Sequence, residues 1–127
     1  MNKPKIMVVE NNSDILFAFK SLLEKENCIY IDTSGGKSAI EIFLKEKPNA
    51  VFLDISLDES NGLQIFKQLY QADSRIPVII ITSHNNREIV RDAIQQGAFN
   101  FLEKPLSISH IRSMIDQIKS LSGDLPN

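Results

Sequence analysis

The hydrophobic positions of this chain fall in two alternating rhythms. Short continuous runs occupy residues 6–9 (IMVV), 29–31, 50–53, 78–81 and 99–102. Between them, apolar residues recur at helical spacing: Ile15, Leu16, Phe19, Leu22 and Leu23; then Ile40, Phe43 and Leu44; then Leu63, Phe66, Leu69 and Tyr70; then Ile89, Val90, Ala93 and Ile94; and last Ile111, Met114, Ile115 and Ile118. Short runs bounded by turn residues predict strands, and the three-to-four spacing predicts amphipathic helices. Asn12 or Ser13 suits the first helix as N-cap, Pro48 stops the second, and Gly97 stops the fourth.

A strand followed by a helix, repeated along the chain, predicts a parallel sheet with helices on both faces. The first, third and fourth runs are apolar throughout, as strands covered on both faces must be. The second run is mixed (Ile29, Tyr30, Ile31, Asp32) and the fifth alternates (Phe99, Asn100, Phe101), which suits sheet edges. The order 2-1-3-4-5 satisfies both conditions. The expected fold class is therefore α/β: a doubly wound, five-stranded parallel sheet of flavodoxin-like order.

Composition narrows the class of function. A length of 127 residues, 43% apolar and 24% charged, suits a single globular domain. Residues 1–121 are expected to form it, with 122–127 (SGDLPN) as a tail or the start of a linker. A net charge of −2 leaves no footprint for nucleic acid. Cys28 is the only cysteine, so no internal disulfide forms, which fits a reducing cytoplasm. No apolar stretch at the N-terminus is long enough for a signal peptide or a membrane span, so no membrane role is expected.

In such a sheet every strand ends at the same edge, and ligands bind there. The first strand is followed by Glu10 and Asn11, the third by Asp54, the fourth by Thr82 and Ser83, and the fifth by Glu103, Lys104 and Pro105. Strands one and three are neighbours about 4.8 Å apart, which puts Glu10 beside Asp54. Lys104 starts about 10 Å of backbone away, a gap its stem can span. Adjacent carboxylates repel unless a cation sits between them, and Mg²⁺ favours oxygen donors. A cation seat, a hydroxyl and an ammonium around Asp54 suit a tetrahedral dianion, and a carboxylate is a competent nucleophile toward phosphorus.

With those residues in place, the chain resembles a response-regulator receiver domain of two-component signalling over residues 4–121. The motifs are VVEN for the acidic pair (Glu10, Asn11), VFLD for the phosphoacceptor (Asp54), IIITS for the hydroxyl (Thr82) and FLEKP for the lysine (Lys104 and Pro105). Phe101 matches the switch aromatic, Gly97-Ala98 the pair before the fifth strand, and Gly62 the glycine opening the third helix. The resemblance implies Mg²⁺ or Mn²⁺ held by Glu10, Asp54, the Ser56 carbonyl and Asn11, phosphorylation of Asp54, and Thr82 and Phe101 moving together. It implies that the Lys104-Pro105 bond is cis and that His84 modulates the lifetime of the phosphoryl group. The implied partners are a histidine kinase or phosphotransfer protein, and an output domain or second copy on the face of the fourth helix, fifth strand and last helix.

Two positions depart from the family pattern. Asn11 stands where a metal-binding carboxylate is usual. An amide oxygen still ligates, but a unit charge about 4 Å from a divalent ion is worth several kcal/mol at an effective dielectric of about 20, so weakened Mg²⁺ binding is expected. Asp58 stands in place of a proline and adds charge and freedom to the loop beside the site.

Each residue alone also has a plainer reading: Asp54 as a loop acid, Lys104 as a solvated charge, Phe101 as edge packing, His84 as an exposed loop residue. Their joint placement at one sheet edge carries the functional reading. The rival within the fold is a pseudo-receiver, a binding module that is not phosphorylated, and Asn11 favours it. Flavin binding needs a phosphate-friendly first loop, whereas ENNSD is acidic and lacks glycine. A nucleotide hydrolase is disfavoured because G-x-x-x-x-G-K-[ST] is absent.

Overall fold

A computed structural model describes residues 3–57, 62–83 and 86–123. Strands β1 (Lys5–Val9), β2 (Ile29–Thr33), β3 (Ala50–Asp54), β4 (Val78–Thr82) and β5 (Asn100–Glu103) alternate with helices α1 (Ser13–Lys25), α2 (Gly36–Glu46), α3 (Gly62–Ala72), α4 (Arg87–Gln95) and α5 (Ile108–Gly123). The sheet is parallel in the order β2-β1-β3-β4-β5, as the burial pattern predicts. β3 and β4 are buried along their whole length and β1 along all but its first residue, while β2 and β5 are largely open.

Strand residues point alternately to two cores. Ile6, Val8, Phe52, Ile79 and Ile81 pack with Phe19 and Leu23 of α1 and with Ile111, Ile115 and Ile118 of α5. Met7, Val9, Val51, Leu53 and Ile80 pack with Phe43 of α2, Phe66 and Leu69 of α3 and Ala93 of α4. Phe19 and Phe52 meet across the first core with ring centroids 4.9 Å apart, in the tilted geometry aromatic pairs favour.

Local chemistry sets the boundaries. The Asn12 side chain caps α1 by accepting from the backbone amides of Asp14 and Ile15. Lys47 ends α2 in the left-handed region, one residue before Pro48. Gly97, at φ 116°, turns the chain out of α4, and an added Cβ there would meet the Tyr70 ring at 2.4 Å. α5 continues to Gly123, into the stretch expected to be tail.

The fifth strand begins one residue later than its sequence pattern suggests, and its faces are the reverse of what apolarity alone implies. Leu102 points into the core, whereas Phe99 and Phe101 stand on the open side, Phe101 with 38% of its surface exposed. The single inward position is claimed by Leu102 because Ile81, its register partner on β4, faces the same core.

Candidate functional site

The β1 chain runs to β2 on one side and the chain returns to place β3 on the other, so the topology switches between β1 and β3. Crevices form at such a switch, at the carboxyl ends of the strands. Val9 pairs with Leu53, which makes Glu10 and Asp54 the next residues out on adjacent strands. The ladder continues just past the strand ends: Glu10 N–H donates to Thr33 O at 3.0 Å, Ile55 N–H to Ile81 O at 2.9 Å and Lys104 N–H to Thr82 O at 2.9 Å. These bonds fix the backbone beneath each polar side chain.

Both carboxylates are buried, Glu10 at 0% and Asp54 at 2% exposure. Glu10 spends Oε1 on its own loop, accepting from Asn11 N–H at 2.9 Å and Asn12 N–H at 3.1 Å. Asp54 Oδ1 accepts from Ser56 N–H at 2.8 Å and from the Ser56 hydroxyl at 2.5 Å. Among the described residues, the remaining oxygens, Glu10 Oε2 and Asp54 Oδ2, have no hydrogen-bond donor. Lys104 crosses from β5 to put Nζ 2.6 Å from Asp54 Oδ2 and 4.0 Å from Glu10 Oε2, as an ion pair rather than an aligned hydrogen bond.

The pair divides its proton unevenly. Burial, and then the Asp54 carboxylate beside it, push the Glu10 carboxyl up to about 7. Burial pushes Asp54 the same way, but the neighbouring Glu10 carboxyl, the Lys104 ammonium and the Ser56 hydrogen bonds outweigh it and hold Asp54 below its ordinary value. Asp54 therefore stays ionised at neutral pH while Glu10 is poised to gain or lose a proton.

Glu10 Oε2, buried beside Asp54 and without a donor among the described residues, fits a divalent cation, which adds the positive charge that one ammonium leaves unmet. The donors on hand are oxygens, and no cluster of three or more His, Cys, Asp or Glu side chains exists among the described residues. That sparse set suits Mg²⁺, which keeps several of its waters. Asn11 is exposed and lines a cleft of about 220 Å³ together with Asp54, Ser34, Gly36 and Leu57.

The structure thus brings Glu10, Asp54, Ser56 and Lys104 into one cluster, with Asn11 at the cleft beside it. Thr82 is buried on the adjacent strand, but its hydroxyl donates to Ser83 O at 3.2 Å and not to the cluster. Thr82 and Phe101 line a separate groove of about 420 Å³ between α4 and β5, walled by Val90, Ile94 and Arg91. Asp58 and His84 lie outside the described residues. The Lys104-Pro105 peptide is cis. Sequence reasoning considered only the carbonyl of Ser56 and missed its hydroxyl; the sole signal was a hydroxyl-bearing residue two places beyond Asp54.

Comparison with known proteins identifies the family. The family model of the response regulator receiver domain matches residues 6–116. The chain belongs to that family. It is 27% identical over 124 residues to the sporulation initiation phosphotransferase F of Bacillus subtilis, covering 98% of this chain and all of that protein. It is 27% identical over 117 residues to the DNA-binding transcriptional regulator NtrC of Escherichia coli, covering 92% of this chain but 25% of the regulator. Among solved structures, NtrX from Brucella abortus superposes with a TM-score of 0.86 at 27% identity, over 96% of this chain and 28% of NtrX. A receiver domain protein from Clostridium thermocellum shares the fold, with a TM-score of 0.86 at 24% identity over 94% of this chain and 97% of that one. The chain is a response-regulator receiver domain, a signalling domain. Among the described residues, no helix is long and apolar enough to cross a membrane.

Proposed function

We propose that this receiver is an active phosphoacceptor, taking a phosphoryl group from phosphohistidine of a kinase or phosphotransfer protein onto Asp54. The observation that carries the reading is the placement of Asp54 Oδ2: buried, ionised, without a hydrogen-bond donor, and 2.6 Å from an ammonium. An O–P bond forms at Oδ2 as the P–N bond of the donor breaks, and the electron pair leaves with the imidazole nitrogen. Lys104 then shifts from Oδ2 to a phosphoryl oxygen, keeping a positive charge against the charge that develops in transfer. Glu10, Asp54, the Ser56 carbonyl and Asn11 would hold Mg²⁺ or Mn²⁺, which when bound offsets phosphoryl charge.

Among the described residues, the Thr82 hydroxyl is held only by the neighbouring carbonyl of Ser83, a bond it can exchange for a phosphoryl oxygen. Phe101 stands at the rim of the groove that Thr82 also lines. Withdrawal of Thr82 toward the site would open room for Phe101 to turn inward and reshape the face of α4, β5 and α5. That face would carry the output partner, or a second copy of the chain. The unit carrying this function spans residues 1–121, with His84 and Asp58 modulating its kinetics.

A second reading, the pseudo-receiver, is favoured by Asn11, which removes one carboxylate from the cation seat. Intact mass after incubation with acetyl phosphate, with and without Mg²⁺, separates the two. A Mg²⁺-dependent gain of one phosphoryl group, lost in Asp54→Ala, supports the phosphoacceptor; no gain at high Mg²⁺ supports the binding module.

A further inference from the structure

We propose that the Ser56 hydroxyl is a positioning group that locks the orientation of the Asp54 carboxylate and selects Oδ2 as the oxygen that attacks phosphorus. The proposal rests on the phosphoacceptor reading and concerns a side chain to which that reading gives no task, since it uses only the Ser56 carbonyl.

A free carboxylate turns about its Cβ–Cγ bond and exchanges its two oxygens. Here the two are unequal. Oδ1 receives two donors from one residue, the amide of Ser56 at 2.8 Å and its hydroxyl at 2.5 Å. Among the described residues, Oδ2 receives only the Lys104 ammonium, as an ion pair. The hydroxyl is itself oriented, because Lys104 Nζ donates to Ser56 Oγ at 3.2 Å. With a lone pair engaged by the ammonium, the hydroxyl proton is directed at Asp54. The contacts close a ring from Oδ1 through Ser56 Oγ and Lys104 Nζ to Oδ2, and each bond in such a ring polarises the next.

The ring has two consequences for transfer. Oδ1 is occupied by two donors, which leaves Oδ2 as the oxygen that attacks. Lys104 is tethered at both Oδ2 and Ser56 Oγ, so its ammonium waits beside the reacting oxygen and keeps one acceptor when it moves to the phosphoryl group. The chain thereby holds nucleophile and countercharge in a near-attack arrangement, the kind of alignment whose loss slows reactions without weakening binding.

The experiment compares wild type, Ser56→Ala and Ser56→Thr in three measurements. In the metal-free protein, high-resolution crystal structures read the Asp54 χ2 torsion, the rotation about Cβ–Cγ. A single rotamer is expected in wild type and Ser56→Thr, and a spread of torsions in Ser56→Ala. Calorimetric titration is expected to give Mg²⁺ dissociation constants within about twofold of one another, because all three keep the backbone carbonyl and no charge changes. Phosphorylation by acetyl phosphate at saturating Mg²⁺ is expected to be about tenfold slower in Ser56→Ala, the scale of one hydrogen bond to a charged group, and restored in Ser56→Thr. A single Asp54 rotamer in Ser56→Ala overturns the proposal, as does a rate loss matched by an equal loss of Mg²⁺ affinity or one that Ser56→Thr does not restore. Wild type that takes no phosphoryl group sinks the phosphoacceptor reading instead, and the rotamer measurement then decides the lock by itself.

Discussion

Lys104 and Asp54 are 50 positions apart in the chain and 2.6 Å apart in the fold, joined across the intervening strand β4. The Thr82 carbonyl anchors the lysine backbone, and the stem does the rest. Among the described residues, the ammonium is the sole positive group given to two buried carboxylates, at 29% side-chain exposure. Lys104→Met removes that charge without removing much volume. The metal-free protein is expected to lose about 1 to 2 kcal/mol, below the usual cost of breaking a fully buried pair because the ammonium is partly solvated. Chemical denaturation with and without Mg²⁺ checks this, with the deficit shrinking when the cation is added.

Glu10 makes stability depend on pH in an unusual direction. Its carboxyl titrates at about 7 in the folded chain against an ordinary 4.5, so the folded state holds the proton more tightly than the unfolded state. The stabilisation from protonated, buried Glu10 is complete below about 4.5 and is lost as pH rises through about 7. Asp54 is shifted downward and contributes its pH dependence only below its ordinary value. Metal-free protein should therefore melt at lower temperature as pH rises across this window, and Glu10→Gln should flatten the curve. A melting temperature that rises over the same range contradicts this account.

Mg²⁺ competes with that same proton. Affinity for the cation should strengthen as pH rises toward and past about 7, with protons released on binding. Calorimetry in two buffers of different ionisation enthalpy measures the release directly.

Asn11→Asp restores a carboxylate at a residue that shares a cleft with Asp54. Mg²⁺ affinity is expected to rise about tenfold or more, the part of the Coulomb gain that solvent leaves intact. The cost is a less stable metal-free protein, since a further negative charge joins Glu10 and Asp54. Calorimetric titration and thermal melts of the two proteins read both effects, and equal affinities would mean that residue 11 does not reach the cation.

Gly62 protects the loop beneath the site. A Cβ there would lie 2.5 Å from Ile55 O and 2.8 Å from Ile55 Cα, both backbone atoms of the residue after Asp54. Backbone cannot yield as a flexible side chain does, so Gly62→Ala should destabilise the fold by about 2 kcal/mol. Because Ile55 N–H is tied to Ile81 O, the displacement also moves Asp54, and amide shifts of residues 54–56 should change in proportion. A variant of wild-type stability and spectrum would show that the loop accommodates the methyl.

What the sequence by itself determined was the arrangement of the frame. Continuous apolar runs separated by helical stripes leave one economical sheet, and the mixed runs at residues 29–31 and 99–102 must take its edges because only an edge tolerates polar groups on one side. Parallel strands all end on one side, so the residue following each run is placed by topology alone. Glu10, Asp54, Thr82 and Lys104 reach a common edge for that reason.

Only the tertiary structure decided how those groups bond. Nothing in ENNSD reveals that Glu10 gives Oε1 to the amides of Asn11 and Asn12 and keeps Oε2 bare. Nothing in VFLDIS reveals that the Ser56 hydroxyl closes a ring between Asp54 and a lysine 48 residues further on. The outward stance of Phe101 likewise follows from Leu102 taking the single inward place opposite Ile81. Periodicity reports which face a residue occupies, whereas hydrogen-bond choice depends on rotamers, on desolvation and on partners from distant strands. Those quantities come into being only when the chain is packed.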